Sequence, residues 1–177
     1  MMTYVGESIN ELNMLFQFEH VDLGNGPEGK WSNLEFKLTD MKSILSKWQK
    51  DLEKGGWNSL FWNNHDQPRA VSRFGNDMEY WMESAKMLGT CMHMLRGTLY
   101  VYQGEEIGMT NVSFEKLEDY RDIETLNAYK ELVGQKRKNK EEMRQAIYDR
   151  GRDNARTPVQ WNNSENAAFT TGTLGLK

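Results

Sequence analysis

An α/β architecture, with parallel strands joined by helical crossovers, follows from three features of the 177 residues. Short runs rich in β-branched and aromatic residues come first. They alternate with longer stretches of helical apolar spacing, the order that builds parallel sheets. Strong hydrogen-bonding residues then recur at the carboxyl ends of the runs, where such folds gather their chemistry. The clearest case is "SLFWNNHDQPRAVSRFGND", Ser59 to Asp77, which opens apolar and closes in Asn, His, Asp, Gln and Arg. That clustering reads as the loop rim of an α/β barrel or sheet.

Taken in order, Met2 to Gly6 reads as a strand ended by Glu7, and Leu12 to Phe18 as a second ended by Glu19 and His20. The loop "VDLGNGPEGKWSN" carries Gly24, Gly26, Pro27 and Gly29 and is irregular. A helix fits Thr39 to Lys54, with Thr39 or Asp40 as N-cap, a stripe of Met41, Ile44, Leu45, Trp48 and Leu52, and Gly55 as its stop. Asn58 to Trp62 is a strand ended by His65 and Asp66. Asp77 to Arg96 is a helix showing Ala85, Leu88, Met92 and Leu95 on one face. Thr98 to Tyr102 is a strand ended by Gln103 and Glu105. Two further helices, Ile123 to Lys138 and Lys140 to Arg150, are mostly charged and expected to be largely exposed. The polar tail "NNSENAAFTTGTLGLK" is expected to end in mobile residues.

One spacing interrupts the alternation. Only "SINE" separates Glu7 from Leu12, whereas a parallel crossover needs about a dozen residues or more. Either the Met2 to Gly6 run is not paired in the sheet, or the neighbourhood of Glu7 is rebuilt.

Hydrophobic residues make up 38% of the chain and charged residues 27%, and the mean hydropathy is -0.79. Such a polar balance is low for a chain closing its own core, so a further partner surface is expected. A net charge of -4, with acids and bases interspersed, carries no electrostatic footprint for nucleic acid or an anionic membrane. Even "KELVGQKRKNKEEMR" is broken by acids and fits a solvated helix face. Cys91 is the only cysteine, which excludes an intrachain disulfide and a cysteine-rich zinc site. Its apolar neighbours in "KMLGTCMHMLRG" fit a buried structural thiol. With no leader-like or bilayer-length apolar segment, a soluble cytoplasmic protein is expected. The opening "MMTYVGES" reads as a chain entered midway.

Glu7 and Asp66, carboxylates at different strand ends, are the groups that cleavage of a glycosidic bond uses. One carboxyl protonates the departing oxygen, and anionic groups stabilise an oxocarbenium-like centre. His65 adds a hydrogen-bonding partner for a sugar hydroxyl. On spacing alone, a Glu after Gly at a strand end is more often a helix cap or ion-pair partner. Trp57, Phe61 and Trp62 fit core filling better than sugar stacking, and Gln103, Gly104 and Gly108 fit a structural turn.

The wording of four motifs goes further. "FWNNHDQPRAVSRFGND", "GTLYVYQGEEIGMTN", "YRDIETLNAYKE" and "GRDNARTPVQW" together resemble the α-amylase superfamily of retaining glycoside hydrolases. More narrowly they resemble its α-glucosidase branch, which holds oligo-1,6-glucosidases, dextran glucosidases and trehalose-6-phosphate hydrolases. The resemblance runs in order from Met1 to about Gly172. It implies a partial (β/α)8 TIM barrel, approximately strands five to eight with their helices, with residues 1–177 a carboxyl-side portion of a catalytic domain. By the same resemblance Glu7 in "VGE" is the general acid/base and Asp66 in "NNHD" the carboxylate holding the distorted glucosyl ring. His65 is its sugar-binding neighbour, Arg152 in "GRDNAR" contacts the glucosyl unit, and Glu124 in "DIETLN" lines the aglycone subsite. Without the motifs, Arg152 reads as an ion-pair partner of Asp153 or Glu165, and Glu124 as an exposed first-turn acid.

Three departures from the family accompany the likeness. The family's nucleophile, an aspartate in a G-F-R-x-D-type motif after the fourth strand, has no counterpart at a strand end here; "YRDIE" and "GRDNA" are the nearest strings. A helix-sized segment is missing between Glu7 and Leu12, and Leu99 stands where the family usually has Pro. The expectation is a fragment of an α-glucosidase acting on α-1,6 bonds of isomalto-oligosaccharides, needing no metal or redox cofactor. By itself the chain is expected to lack turnover and to self-associate through open barrel edges. The alternatives are a trehalose-6-phosphate hydrolase fragment and a non-catalytic carbohydrate-binding or folding-partner module.

Overall fold

The computed structural model describes residues 2–6, 8 and 11–174, so Glu7 and the last three residues of the tail lie outside the described residues. Three short strands form one parallel sheet in the order β1 (Leu15–Phe16), β2 (Asn58–Leu60), β3 (Thr98–Leu99). Leu15 and Phe16 stand opposite Asn58 and Ser59, and Ser59 and Leu60 opposite Thr98 and Leu99. The central strand is buried along its whole length.

The Met2 to Gly6 run departs from expectation. Met2–Val5 is a single helical turn, α1, and not a strand. It pairs with no strand among the described residues. Instead Leu12 N donates to Tyr4 O, and Val5 packs with Trp48 and Leu52. The short connection to Leu12 explains this, because a parallel partner cannot be reached across so few residues.

The crossovers are helical. Helix α2 (Leu38–Asp51) starts one residue ahead of the expected Thr39, with Lys37 as a cap that makes no side-chain bond. After its end, Gly55 takes a positive φ of 87°. A short helix, α3 (Ala70–Phe74), follows Pro68 within the stretch read as loop rim. Helix α4 (Trp81–His93) begins four residues later than Asp77, because Asn76 Oδ1 accepts from Met78 N and Tyr80 N and holds a turn there. Helices α5 (Ile123–Gly134) and α6 (Lys140–Arg150) start where expected. Asp122 caps α5 by accepting from Thr125 N. Asn139 and Glu142 form a reciprocal capping box on α6.

Three apolar clusters hold these elements. The first joins Met41 of α2, Leu60 and Trp62 at β2, Ala70 and Val71 of α3, and Leu88 and Met92 of α4. Within it Trp62 Nε1 donates to Leu88 O at 2.8 Å, which satisfies the indole inside the core. The second gathers Leu132, Met143, Ala146 and Ile147 around Trp31. Helices α5 and α6 are therefore not simply exposed: each buries one apolar face, and α5 as observed is mostly uncharged, the charges expected of it lying largely in α6 and the link between them. Phe61 and Trp62 are buried as core, as expected, whereas Trp57 departs from that expectation: it stays exposed and donates to Thr98 Oγ1.

Candidate active site

The loop leaving β2 carries His65 and Asp66. Its geometry is local: Asn64 Oδ1 accepts from Asp66 N at 2.8 Å, and Asn64 O accepts from Gln67 N. This Asn-centred turn brings Asp66 Oδ2 within 3.4 Å of His65 Nε2.

Arg152 and Arg156 reach the same carboxylate from a 3-10 segment, Arg152–Arg156, which follows α6. Its three middle residues are buried and act as anchors. Asp153 Oδ2 accepts from Arg121 N and Asp122 N at 2.7 and 3.0 Å. Asn154 Oδ1 accepts from Val112 N, and its Nδ2 donates to Tyr148 O and Gly151 O. Ala155 O accepts from the Tyr102 hydroxyl, and Asn154 O from Arg69 Nε. With the centre fixed, the two terminal arginines project together. Arg156 Nη2 donates to Asp66 Oδ1 at 3.0 Å, and Arg152 Nη1 lies 3.6 Å from the same oxygen.

Arg69 is the buried keystone of this arrangement. Besides Asn154 O, its guanidinium donates to Gln103 O at 2.7 Å and to Thr157 Oγ1 at 3.2 Å, which ties the loop after β3 to the arginine-bearing segment. Burial lowers its pKa, opposed by Tyr102 and by the carboxylates of Glu105 and Glu106.

Glu124, in the first turn of α5, completes the constellation. Its Oε2 accepts from Lys30 Nζ at 2.8 Å and lies 2.7 Å from Arg152 Nε. The second contact is an ion pair and not a directed hydrogen bond. Lys30 sits over the Trp31 ring, and burial lowers its pKa, partly offset by the bond to Glu124. Three cations, Lys30, Arg152 and Arg156, thus interleave with the carboxylates of Asp66, Glu124 and Asp122. Beside His65 a groove of about 360 Å³ runs along Phe16, Phe18 and Tyr100.

Four expected site residues, His65, Asp66, Glu124 and Arg152, therefore meet in one place, and Glu7 lies outside the described residues. Arg152 pairs with Glu124 and Asp66, not with Asp153 or Glu165. Glu124 is a first-turn acid that also makes ion pairs with residues distant in the sequence. Lys30, Asp122 and Arg156 were not singled out from the sequence. Arg156 left a signal, a second arginine four residues after Arg152 in "GRDNAR", and Asp122 stood in "YRDIE", noted only as a string near the nucleophile motif. The arrangement supplies an arginine-buttressed carboxylate beside an imidazole, a set suited to gripping the hydroxyls of a sugar ring. It contains no second free carboxylate of nucleophile type among the described residues.

Comparison with known proteins gives the family. The family description "Alpha amylase, catalytic domain" matches residues 1–176. An oligo-1,6-glucosidase of Parageobacillus thermoglucosidasius is 62% identical over 170 residues, covering 96% of this chain and 30% of that protein. A trehalose-6-phosphate hydrolase of Bacillus subtilis is 49% identical over 173 residues, again covering 96% and 30%. The crystal structure of the Bacillus licheniformis trehalose-6-phosphate hydrolase superposes with a TM-score of 0.93 at 47% identity, over 99% of this chain and 32% of that one. The chain thus spans about 30% of the length of the curated relatives it matches. On this evidence the chain belongs to the alpha-amylase catalytic-domain family of glycoside hydrolases.

Proposed function

We propose that residues 1–177 are the carboxyl-side portion of a (β/α)8 catalytic barrel, with β1, β2 and β3 as its sixth, seventh and eighth strands. The complete enzyme hydrolyses α-1,6-glucosidic bonds of isomalto-oligosaccharides with retention of configuration. Asp66, held between Arg152 and Arg156 beside His65 at the carboxyl end of a parallel strand, is the observation that carries this reading.

In this mechanism Glu7 gives its proton to the glycosidic oxygen as the bond from that oxygen to the anomeric carbon breaks. An aspartate from the amino-side half of the barrel forms the new bond to that carbon. Water, deprotonated by Glu7, then releases glucose and restores both carboxyl groups. Asp66 and His65 grip the distorted ring during both steps, Arg152 bridges ring and aglycone sides, and Glu124 with Lys30 lines the aglycone side. The chain alone, without that aspartate, is inactive. Its open sheet edges favour association with a second copy.

Identity favours the α-1,6 substrate: oligo-1,6-glucosidases of three bacteria reach 62%, 61% and 58%, against 49% for a trehalose-6-phosphate hydrolase. Charge argues the same way. A phosphorylated sugar calls for uncompensated cations at the mouth, and here Lys30, Arg152 and Arg156 are each matched by a carboxylate. The test compares isomaltose with trehalose 6-phosphate in the complete enzyme. Isomaltose is expected to be hydrolysed; turnover of the phosphorylated sugar alone would replace this reading with the trehalose-6-phosphate one.

A further inference from the structure

We propose that Arg156 is a positioning residue that fixes the orientation of Asp66. The inference rests on the ring-binding role given to Asp66 above. Three contacts define the guanidinium. Nη2 donates to Asp66 Oδ1 at 3.0 Å, Nε donates to His65 O at 3.1 Å, and Nη1 lies 3.9 Å from Asp122 Oδ1. One side chain thus grips the carboxylate, the backbone that carries it, and a buried support.

That support is rigid. Asp122 is 3% exposed, and its second oxygen accepts from Thr125 N and Thr125 Oγ1 at 3.0 and 2.7 Å. Its own backbone N–H is bound by Asp153. The carboxylate of Asp122 therefore cannot follow Arg156 if the arginine moves. Force runs from the buried Asp153 and Asp122 through Arg156 to Asp66. Arg152 has a different task, since its shortest contact is Glu124 at 2.7 Å and Asp66 is only its second neighbour at 3.6 Å.

Stability does not account for the arrangement. Arg156 and Asp66 side chains are 37% and 39% exposed, and ion pairs at that exposure contribute little to folding. What the pair supplies is direction. With Oδ1 taken by the arginine, Oδ2 is left beside His65, 3.4 Å from its Nε2, where carboxylate and imidazole can take ring hydroxyls together. Lysine cannot reproduce the fork, because a single ammonium cannot span Asp66 Oδ1 and His65 O in one plane.

Two measurements decide the matter. In the complete enzyme, Arg156→Ala is expected to lower kcat on isomaltose about 100-fold with KM nearly unchanged, because misorientation is felt in the transition state. Arg156→Lys should recover only part of the loss. A raised KM at unchanged kcat would make Arg156 a substrate-binding residue and overturn the proposal, as would unchanged kinetics. Inactivity of the wild-type complete enzyme on α-glucosides would instead sink the functional reading. Arg156 would then be judged on the 177-residue chain itself by hydrogen exchange. There Arg156→Ala should speed exchange of the Asp66 and Gln67 amides about tenfold while Met143 N, bonded to the O of the α6 cap residue Asn139, keeps its rate. Equal exchange at Asp66 in both proteins would overturn the positioning role.

Discussion

At the scale of single residues, two titratable groups, one buried and one partly buried, pull stability in opposite directions with pH. Burial pushes the Glu105 carboxyl up to about 7, aided by Glu106 and opposed by the bond from Tyr102 N and by Arg69. Between its ordinary 4.5 and about 7 the native protein binds the extra proton, so this group makes stability fall as pH rises. Burial and the nearby Arg73 lower His20 from 6.5 to about 4. There the unfolded chain binds the extra proton, so stability rises with pH between about 4 and 6.5. The two slopes largely cancel in the wild-type melt, and a substitution is needed to separate them. Glu105→Gln keeps an oxygen for Tyr102 N and removes the charge. It is expected to raise the melting temperature at pH 7.5 and to have little effect at pH 4, where the wild-type carboxyl is also neutral. A stabilisation equal at both pH values would mean that burial of charge is not its cause.

The residues legible in the sequence and those that were not differ in one physical respect. His65 and Asp66 stand out because a strand, a polar cluster and an Asn-centred turn are all local. Lys30 and Arg156 do not, because their meaning lies in partners 94 and 90 residues away, Glu124 and Asp66. Glu124 and Arg152 were reachable only through motif resemblance, since each alone reads as an ordinary helix-end charge.

Among the elements, α6 was read to its end residues and Met2–Val5 was misread, for related reasons. Helix boundaries are written in adjacent chemistry: Asn139 and Glu142 start α6, and Gly151 follows its end. A strand needs a neighbour, and the β-type residues of "MTYV" cannot reveal that none is within reach of so short a connection. Helix α3 was hidden in the polar rim, although Ala70, Val71 and Phe74 already have helical spacing after Pro68. The caps also make α6 the element with the most direct test. Asn139→Ala removes both bonds of the box, Glu142 N to Asn139 Oδ1 and the geometry that lets Asn139 N reach Glu142 Oε2. A loss of about 1 kcal/mol in unfolding free energy is expected. Because α6 delivers the Arg152–Arg156 segment, fraying from the far end should leave the Asp66 contacts intact. A denaturant midpoint equal to wild type would show that α6 is held by Met143 and Ile147 in the Trp31 cluster alone.

For the whole molecule the decisive feature is the surface left uncovered on the sheet. Phe16, Phe18, Tyr100 and Val101 are all exposed by more than two-fifths, and Phe16 lies against Tyr100 at 4.7 Å and Phe61 at 5.5 Å, so the patch is continuous. Strands β1 and β3 each have one side without a strand neighbour among the described residues. Contiguous apolar surface next to free backbone groups drives association, by burial of the aromatics and by completion of the ladder. The 20.7 kDa chain is therefore expected to form dimers or larger species. Its melting temperature should rise over about a hundredfold increase in protein concentration, as mass action requires when assembly stabilises the fold. Replacing Phe16 and Tyr100 together by Asp should remove that dependence, because the centre of the patch would then carry two charges that burial penalises. A cooperative melt of a monomer, independent of concentration, would mean that three strands and their helices close on themselves despite the exposed aromatics. The polar composition of the chain would then reflect a small self-sufficient core and not a missing partner surface.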